Sequence, residues 1–282
     1  MSYARKILPG KTYMVTRRTI CRYFLLRPDD EMRELVEYSL ALAARDYRVK
    51  VHAFCAMSTH IHLVVTDPHG VLPFFLAYFH RFVAMGTKVL RRWEGSIWDS
   101  DAPSVVELLT RKAIVEKIAY VLANPVAAGA VLDPDEWPGA KTYFDATKWP
   151  EVVELPIDLP PMIAEADAEA FRDDVAQALA REVEEARKTI APENVLGPKR
   201  AATISTETRS KAPEPMRKLN PTFAAGRGCG AIAAAAARAV KAFRAAYRAA
   251  LERWCMGDRD VAFPEGTWWM RVFHSVNIGG SS

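Results

Sequence analysis

The stretch Val51-His-Ala-Phe-Cys-Ala-Met-Ser-Thr-His-Ile-His-Leu-Val-Val-Thr66 is apolar and β-prone on both sides of a short Ser58-Thr59 break. It reads as two strands joined by a tight turn, which commits this part of the chain to a sheet. In a strand, residues i and i+2 project from one face, so His60 and His62 share a face while Ile61, Leu63 and Val65 share the other. Two imidazoles so placed can reach one cation. Paired histidines on a strand are also ordinary hydrogen-bonded groups, so the pair needs companions before it counts as a site.

The flanking sequence supplies the rest of a small α+β domain. Residues 12–20 alternate and are rich in β-branched and aromatic side chains, a first strand. Asp29 and Asp30 can cap a helix running to about Arg45, with Met32, Leu35, Val36, Leu40 and Leu42 as its apolar stripe. After the two strands, Asp67-Pro-His-Gly70 is a stop, and Pro73 to about Arg92 resumes a helical pattern whose aromatics suit a core. A fourth strand near 104–109 precedes a helix that Thr110 can cap and that Pro125 is expected to end, since the residue before proline is pushed from the α region. The order β-α-β-β-α-β with a further helix is that of a ferredoxin-like sheet.

Beyond Trp137-Pro-Gly the character changes, and the expected division is a domain over 1–150 and a mainly helical extension over 151–282. The extension reads as a Pro-rich linker at 155–161, an acidic amphipathic helix from Ala164 to about Lys188, and a basic, partly disordered connection over about 192–225. A helix from Ala231 to about Trp254 follows, then a segment whose Trp268, Trp269 and Phe273 should dock on something. The net charge of +4 is modest, but its sign is segregated: 151–187 is acid-rich and 199–253 is dominated by Lys and Arg, which suits a polyanion.

Cys21, Cys55, Cys229 and Cys255 are widely spaced and make no paired motif, so a reducing compartment is the natural setting. The start of the chain lacks an apolar signal core and no run approaches a membrane span, which places the protein in the cytoplasm as an expectation. Gly226-Arg-Gly-Cys-Gly230 lacks the Lys-Ser/Thr of a phosphate-binding loop, so nucleotide-driven chemistry is not indicated.

Tyr120 and Asn124 lie four residues apart, on one helix face near its C-terminal end. A phenol near pKa 10 is a poor nucleophile unaided, but a divalent cation that polarises a phosphodiester oxygen makes the phosphorus easier to attack. Two imidazoles and an amide oxygen would hold Mg2+ or Mn2+ with positions left for phosphate and water.

Met57-Ser-Thr-His-Ile-His-Leu-Val-Val65 resembles the His-hydrophobic-His motif of the single-tyrosine HUH transposases, and Tyr120-Val-Leu-Ala-Asn-Pro-Val-Ala-Ala-Gly-Ala-Val131 resembles their tyrosine motif. The branch to which it is most similar is the REP-associated tyrosine transposases. The likeness spans roughly 10–145, with Tyr13-x-Val-Thr-Arg, Gly95-x-Ile-Trp98 and Trp137-Pro as supporting words. It implies that His60, His62 and Asn124 bind the metal and that Tyr120 attacks single-stranded DNA, leaving a 5′-phosphotyrosine. It implies substrates with hairpins from imperfect palindromes, acted on by a monomer or homodimer, in transposition or in processing of repeated elements. Ser58-Thr59 departs from the family's Pro-Asn before the first histidine. Arg17, Arg18, Arg22, Lys88, Arg91 and Arg92 are the candidate phosphate contacts. Two other readings remain: a non-catalytic nucleic-acid binder on the same sheet type, and a metal hydrolase in which Tyr120 only packs.

Overall fold

The computed structural model describes residues 4–143, 159–210 and 221–279. Strand β1 (Lys11–Arg18) is bonded antiparallel to β3 (His60–Asp67) on one side and to β4 (Ser104–Leu108) on the other. Outside β3 lies β2 (Lys50–Met57), and beyond β4 a two-residue strand, β5 (Phe223–Ala224), runs parallel to it. The order β2-β3-β1-β4-β5, with helix α1 (Asp30–Tyr47) between β1 and β2 and α2 (Leu72–Arg91) between β3 and β4, is the expected α+β, ferredoxin-like arrangement carrying one extra edge strand.

Both faces of the sheet are buried, which is why β2 and β3 read as nearly continuous apolar runs. Tyr13, Val15, Phe54, Ile61 and Leu63 meet α1 and α2, where Val36, Leu40, Phe75 and Phe79 are fully enclosed. Met14, Ala53, Cys55 and Val64 meet α3 (Arg111–Ala127) on the other face. Burying each such large aliphatic or aromatic side chain contributes about 1.5–3 kcal/mol, so the alternation along β1 and β3 is strongly held. It follows that His60 and His62 lie on the α3 side.

Capping fixes where these helices begin. Asp29 accepts from the Met32 N–H at 3.1 Å, and Thr110 accepts from the Ala113 N–H at 3.0 Å. The C-terminal end of α3 differs from expectation: the helix continues through Pro125 to Ala127, and Asn124 keeps helical geometry. Proline this close to the end removes a single backbone bond, while burial of Val126 and the Ala128 N–H to Asn124 C=O bond at 2.9 Å hold the last turn.

Helix α4 (Ala168–Thr189) packs on α3, and its Phe171, Val175, Ala178 and Val183 join the core under the α3 face, so that core is continuous across residue 150. Described parts of the 192–225 stretch are built into the fold, whereas 211–220 lie outside the described residues. The Leu196 and Gly197 N–H groups bond to the Gly129 and Ala130 carbonyls, α5 (Pro198–Thr203) follows, and the Phe24 N–H bonds to the Thr208 carbonyl. These are backbone contacts, which side-chain periodicity does not register. The 155–161 linker falls mostly among undescribed residues.

The remainder is helix α6 (Gly230–Cys255), strand β6 (Phe263–Pro264), helix α7 (Trp269–His274) and strand β7 (Ile278–Gly279), closed around Ala250, Val261, Phe263, Met270 and Val276. Of the three aromatics expected to dock, Trp268 does, edge-on to Phe74 at 4.7 Å, while Trp269 and Phe273 stay more than half exposed against each other. No helix among the described residues is long and apolar enough to cross a membrane.

One buried group makes the fold sensitive to acid. His80 of α2 packs on Trp98 with no hydrogen-bond partner for Nε2 among the described residues, and burial, reinforced by the Arg17 charge, lowers its pKa from 6.5 to about 3. The unfolded chain therefore binds this proton at a higher pH than the folded one, and stability falls as pH drops from 6.5 towards 3. The thermal midpoint, measured across that range, should fall less steeply in His80→Phe than in the wild type; identical slopes would refute this role.

Candidate metal and nucleophile site

The Ser58-Thr59 turn delivers His60 to the first position of β3, opposite Arg18 of β1 and Met57 of β2, and puts His62 opposite Thr16 and Cys55. Both rings project towards α3, their centroids 4.6 Å apart and nearly perpendicular. Tyr120 and Asn124, one turn apart on α3, face them. The Asn124 Oδ1 lies 3.2 Å from His60 Nε2, and its Nδ2 lies 3.4 Å from His62 Nε2. The Tyr120 ring sits edge-on to His62 at 5.4 Å and is 38% exposed, at the rim of the cluster. The structure thus brings His60, His62, Tyr120 and Asn124 together.

Behind each imidazole stands a threonine hydroxyl. Thr59 Oγ1 is 2.9 Å from His60 Nδ1, and Thr16 Oγ1 is 2.8 Å from His62 Nδ1. The two Nδ1 atoms are thereby engaged, and the two Nε2 atoms converge on Asn124. The sequence reading missed both threonines: Thr59 was only part of a turn, and Thr16 emerges only when β1 is paired in register with β3. It is the pairing, not the spacing, that reveals them.

Charge and burial set the state of these groups. Burial lowers His60 from 6.5 to about 4, with Arg18 and Arg22 adding to the shift and the Asn124 hydrogen bond opposing it. His62 is held well below 6.5 by burial, by His60 and by the nearby Arg18 and Lys117. Both rings are therefore neutral near pH 7, the charge state that a cation requires of an imidazole ligand. Burial raises the Tyr120 phenol, which Arg18 and the Asn124 hydrogen bond partly offset and Glu182 reinforces, so the hydroxyl keeps its proton at rest.

The donor set fits a divalent cation. Two neutral ring nitrogens and one amide oxygen converge, their orientation is fixed from behind, and the open side faces the Tyr120 rim. No group of three or more His, Cys, Asp or Glu placed to hold a metal occurs among the described residues; a cation here would rest on His60, His62 and Asn124.

The six basic candidates separate. Arg18 is exposed at the end of β1, and its charge bears on His60, His62 and Tyr120. Arg22 acts on His60 from a tight turn in which Cys21 and Arg22 have φ of 47° and 54°, consecutive left-handed residues of the kind that cluster at functional sites. Arg17 points to the opposite face, where its guanidinium donates to the Asp99 and Asp101 carbonyls beside Trp98. Arg91 is only 6% exposed and donates to the Leu25 and Arg27 carbonyls and to the Asp29 carboxylate. The Arg91 guanidinium is thus enclosed and occupied by partners within the fold, and that of the half-buried Arg17 is engaged by two carbonyls. Lys88 and Arg92 are exposed at the end of α2, across the sheet from the histidines. Lys117 was missed: one turn before Tyr120, its Nζ sits 5.5 Å from the Tyr120 ring centroid.

No protein-family model matches this chain, and no curated protein matches it. Among solved structures it is similar to a REP-associated tyrosine transposase bound to a REP hairpin, at 20% identity and a TM-score of 0.43, over 56% of this chain and 94% of that one. It is also similar to a protein assigned as a transposase from Deinococcus radiodurans, at 20% identity and a TM-score of 0.30, over 38% of this chain and 85% of that one.

Thr16→Val or Thr59→Val frees one imidazole Nδ1 and should weaken Mn2+ binding by about tenfold or more, read by calorimetry on folded protein; unchanged affinity would mean the hydroxyls do not orient the rings. Arg91→Ala should cost about 2 kcal/mol in urea unfolding while leaving the salt dependence of DNA binding unaltered, whereas Arg18→Ala should lower that salt slope by about one.

Proposed function

We propose that this chain is a metal-dependent tyrosine transposase of the single-tyrosine HUH kind, in its REP-associated branch, which cuts and rejoins single-stranded, hairpin-containing DNA in transposition or in processing of repeated palindromes. The observation that carries this reading is Tyr120 at the exposed rim of a cluster in which His60, His62 and Asn124 converge within hydrogen-bond distance. The resemblance of the two sequence motifs supports it. Residues 1–150 are the catalytic domain and 151–282 an extension; the cytoplasm is the setting.

The Tyr120 Oη attacks the phosphorus of a DNA phosphodiester. A bond forms between Oη and phosphorus, the bond to the 3′-oxygen breaks, the phenolic proton leaves to water at the exposed rim, and the 3′-oxygen takes up a proton from water. The product is a 5′-phosphotyrosine and a free 3′-hydroxyl. The phosphoester is conserved, so a 3′-hydroxyl can reverse the attack and join strands without a nucleotide cofactor.

Mg2+ or Mn2+ held by His60, His62 and Asn124 would supply Lewis-acid polarisation of the phosphate. Thr16 and Thr59 hold the two rings so that Nε2 faces the site, which requires each Nδ1 to donate its proton to the threonine oxygen. Arg18, Arg22 and Lys117 offset phosphate charge around Tyr120, and α3 keeps the nucleophile and Asn124 at fixed separation. Because attack draws charge onto phosphate oxygens, such preorganised cations act most strongly as the bond forms.

The test is a labelled single strand with a hairpin, incubated with purified protein and Mn2+ and resolved under denaturing conditions. Wild type should give a protein–DNA adduct that Tyr120→Phe, His60→Ala and chelation each abolish. Binding with no cleavage by any form would establish a non-catalytic binder, and cleavage without an adduct would establish a hydrolase; either result overturns the proposal.

A further inference from the structure

Helix α6 is 26 residues long, yet only Phe243 and Ala250 are buried in it, and from Gly230 to Ala242 no residue is buried. Ala233, Ala236 and Val240 form a half-buried stripe that runs on into Phe243 and Ala250, and the rest of the helix circumference over these three turns is exposed. The side chains there are small, chiefly alanine, so the backbone itself can be approached closely. Arg238, Lys241 and Arg248 lie within an arc of about 80° at 100° per residue and span about 15 Å along the axis. All three are exposed, and they make no hydrogen bond or ion pair among the described residues. Glu252 is the single carboxylate on the helix.

The start of α6 is fixed beside the nucleophile. The Arg227 N–H donates to the Glu116 carboxylate at 3.1 and 3.3 Å, and its guanidinium lies 3.9 Å from Glu182 of α4. Glu116 is one turn before Tyr120 on α3, and Glu182 is close enough for its charge to bear on the Tyr120 phenol. The preceding strand, β5, is paired with β4 at the sheet edge. A basic, narrow helix thus begins close to the shoulder of the site.

We propose that α6 is a duplex-binding element: Arg238, Lys241 and Arg248 contact backbone phosphates of the double-stranded stem while the adjoining single strand reaches Tyr120. This rests on the reading of the site as one that cuts hairpin-bearing DNA. The major groove admits an α-helix, and an alanine-lined one fits with little steric demand. A second copy packed along the same face would set arginine and lysine against arginine and lysine, so charge favours a polyanion.

The test uses the full chain and fluorescence anisotropy on two labelled probes, a hairpin with a single-stranded tail and the tail alone. The variant Arg238→Gln/Lys241→Gln/Arg248→Gln, with wild-type circular dichroism and melting, should lose about tenfold or more in hairpin affinity, and its salt slope should fall by about three. Tail binding and tyrosine adduct formation on the tail should persist, and Arg238→Lys/Arg248→Lys should retain hairpin affinity. Unchanged hairpin affinity, equal loss on both probes, or a change in oligomeric state without loss of DNA affinity would each overturn the proposal. If no form yields an adduct while the triple variant still loses hairpin affinity, the duplex element stands and the strand-transfer reading falls; adducts with unaltered hairpin affinity give the reverse.

Discussion

The antiparallel register of β1 on β3 is the constraint on which the rest depends. Thr16 stands opposite His62 and Arg18 opposite His60, so one alignment supplies a hydroxyl to orient one imidazole and a cation beside both. A slip of one residue would turn both histidines into the α1 and α2 core and bring Ile61 and Leu63 to the site. The apolar residues that alternate with the site residues prevent this: Tyr13, Val15, Ile61 and Leu63 are buried to within 2% of full enclosure on the far face. The site is therefore secured by packing on the side of the sheet it does not occupy.

Helix α3 completes the arrangement because it is held at several points. Thr110 caps its start, Pro125 is accommodated inside its last turn, and α4 covers its outer surface. Asn124 is buried and bridges both imidazoles, while Tyr120, one turn earlier, remains at the rim. Burial and exposure four residues apart on one helix separate the enclosed His60, His62 and Asn124 cluster from the solvent-facing Tyr120. The charges that act on the histidines are positive, from Arg18, Arg22 and Lys117, while Tyr120 feels both Arg18 and the opposing Glu182.

Much of this was legible in the sequence, for reasons that also explain what was not. The period-2 pattern and the Ser58-Thr59 turn place His60 and His62 on one face, and four-residue spacing places Tyr120 with Asn124, because both are local rules of backbone geometry. The roles of Thr16 and Thr59, and of Lys117, depend on which strand lies beside which, and no local rule carries that. Arg91 looked like a surface cation on a basic helix side, but its guanidinium is consumed by the Asp29 cap and two carbonyls. The 192–210 segment looked structureless because its anchors are backbone hydrogen bonds to Gly129, Ala130 and Phe24.

Peptide mapping decides whether the Tyr120 Oη forms the proposed bond to DNA phosphorus. After reaction with a hairpin-bearing single strand and Mn2+, nuclease trimming and trypsin, the peptide from Ile118 to Lys141 contains one tyrosine. The expected product is a residual nucleotide attached through phosphate to Tyr120 in that peptide. Strand cleavage accompanied by an unmodified Ile118–Lys141 peptide, or by a nucleotide on any other residue, would contradict it.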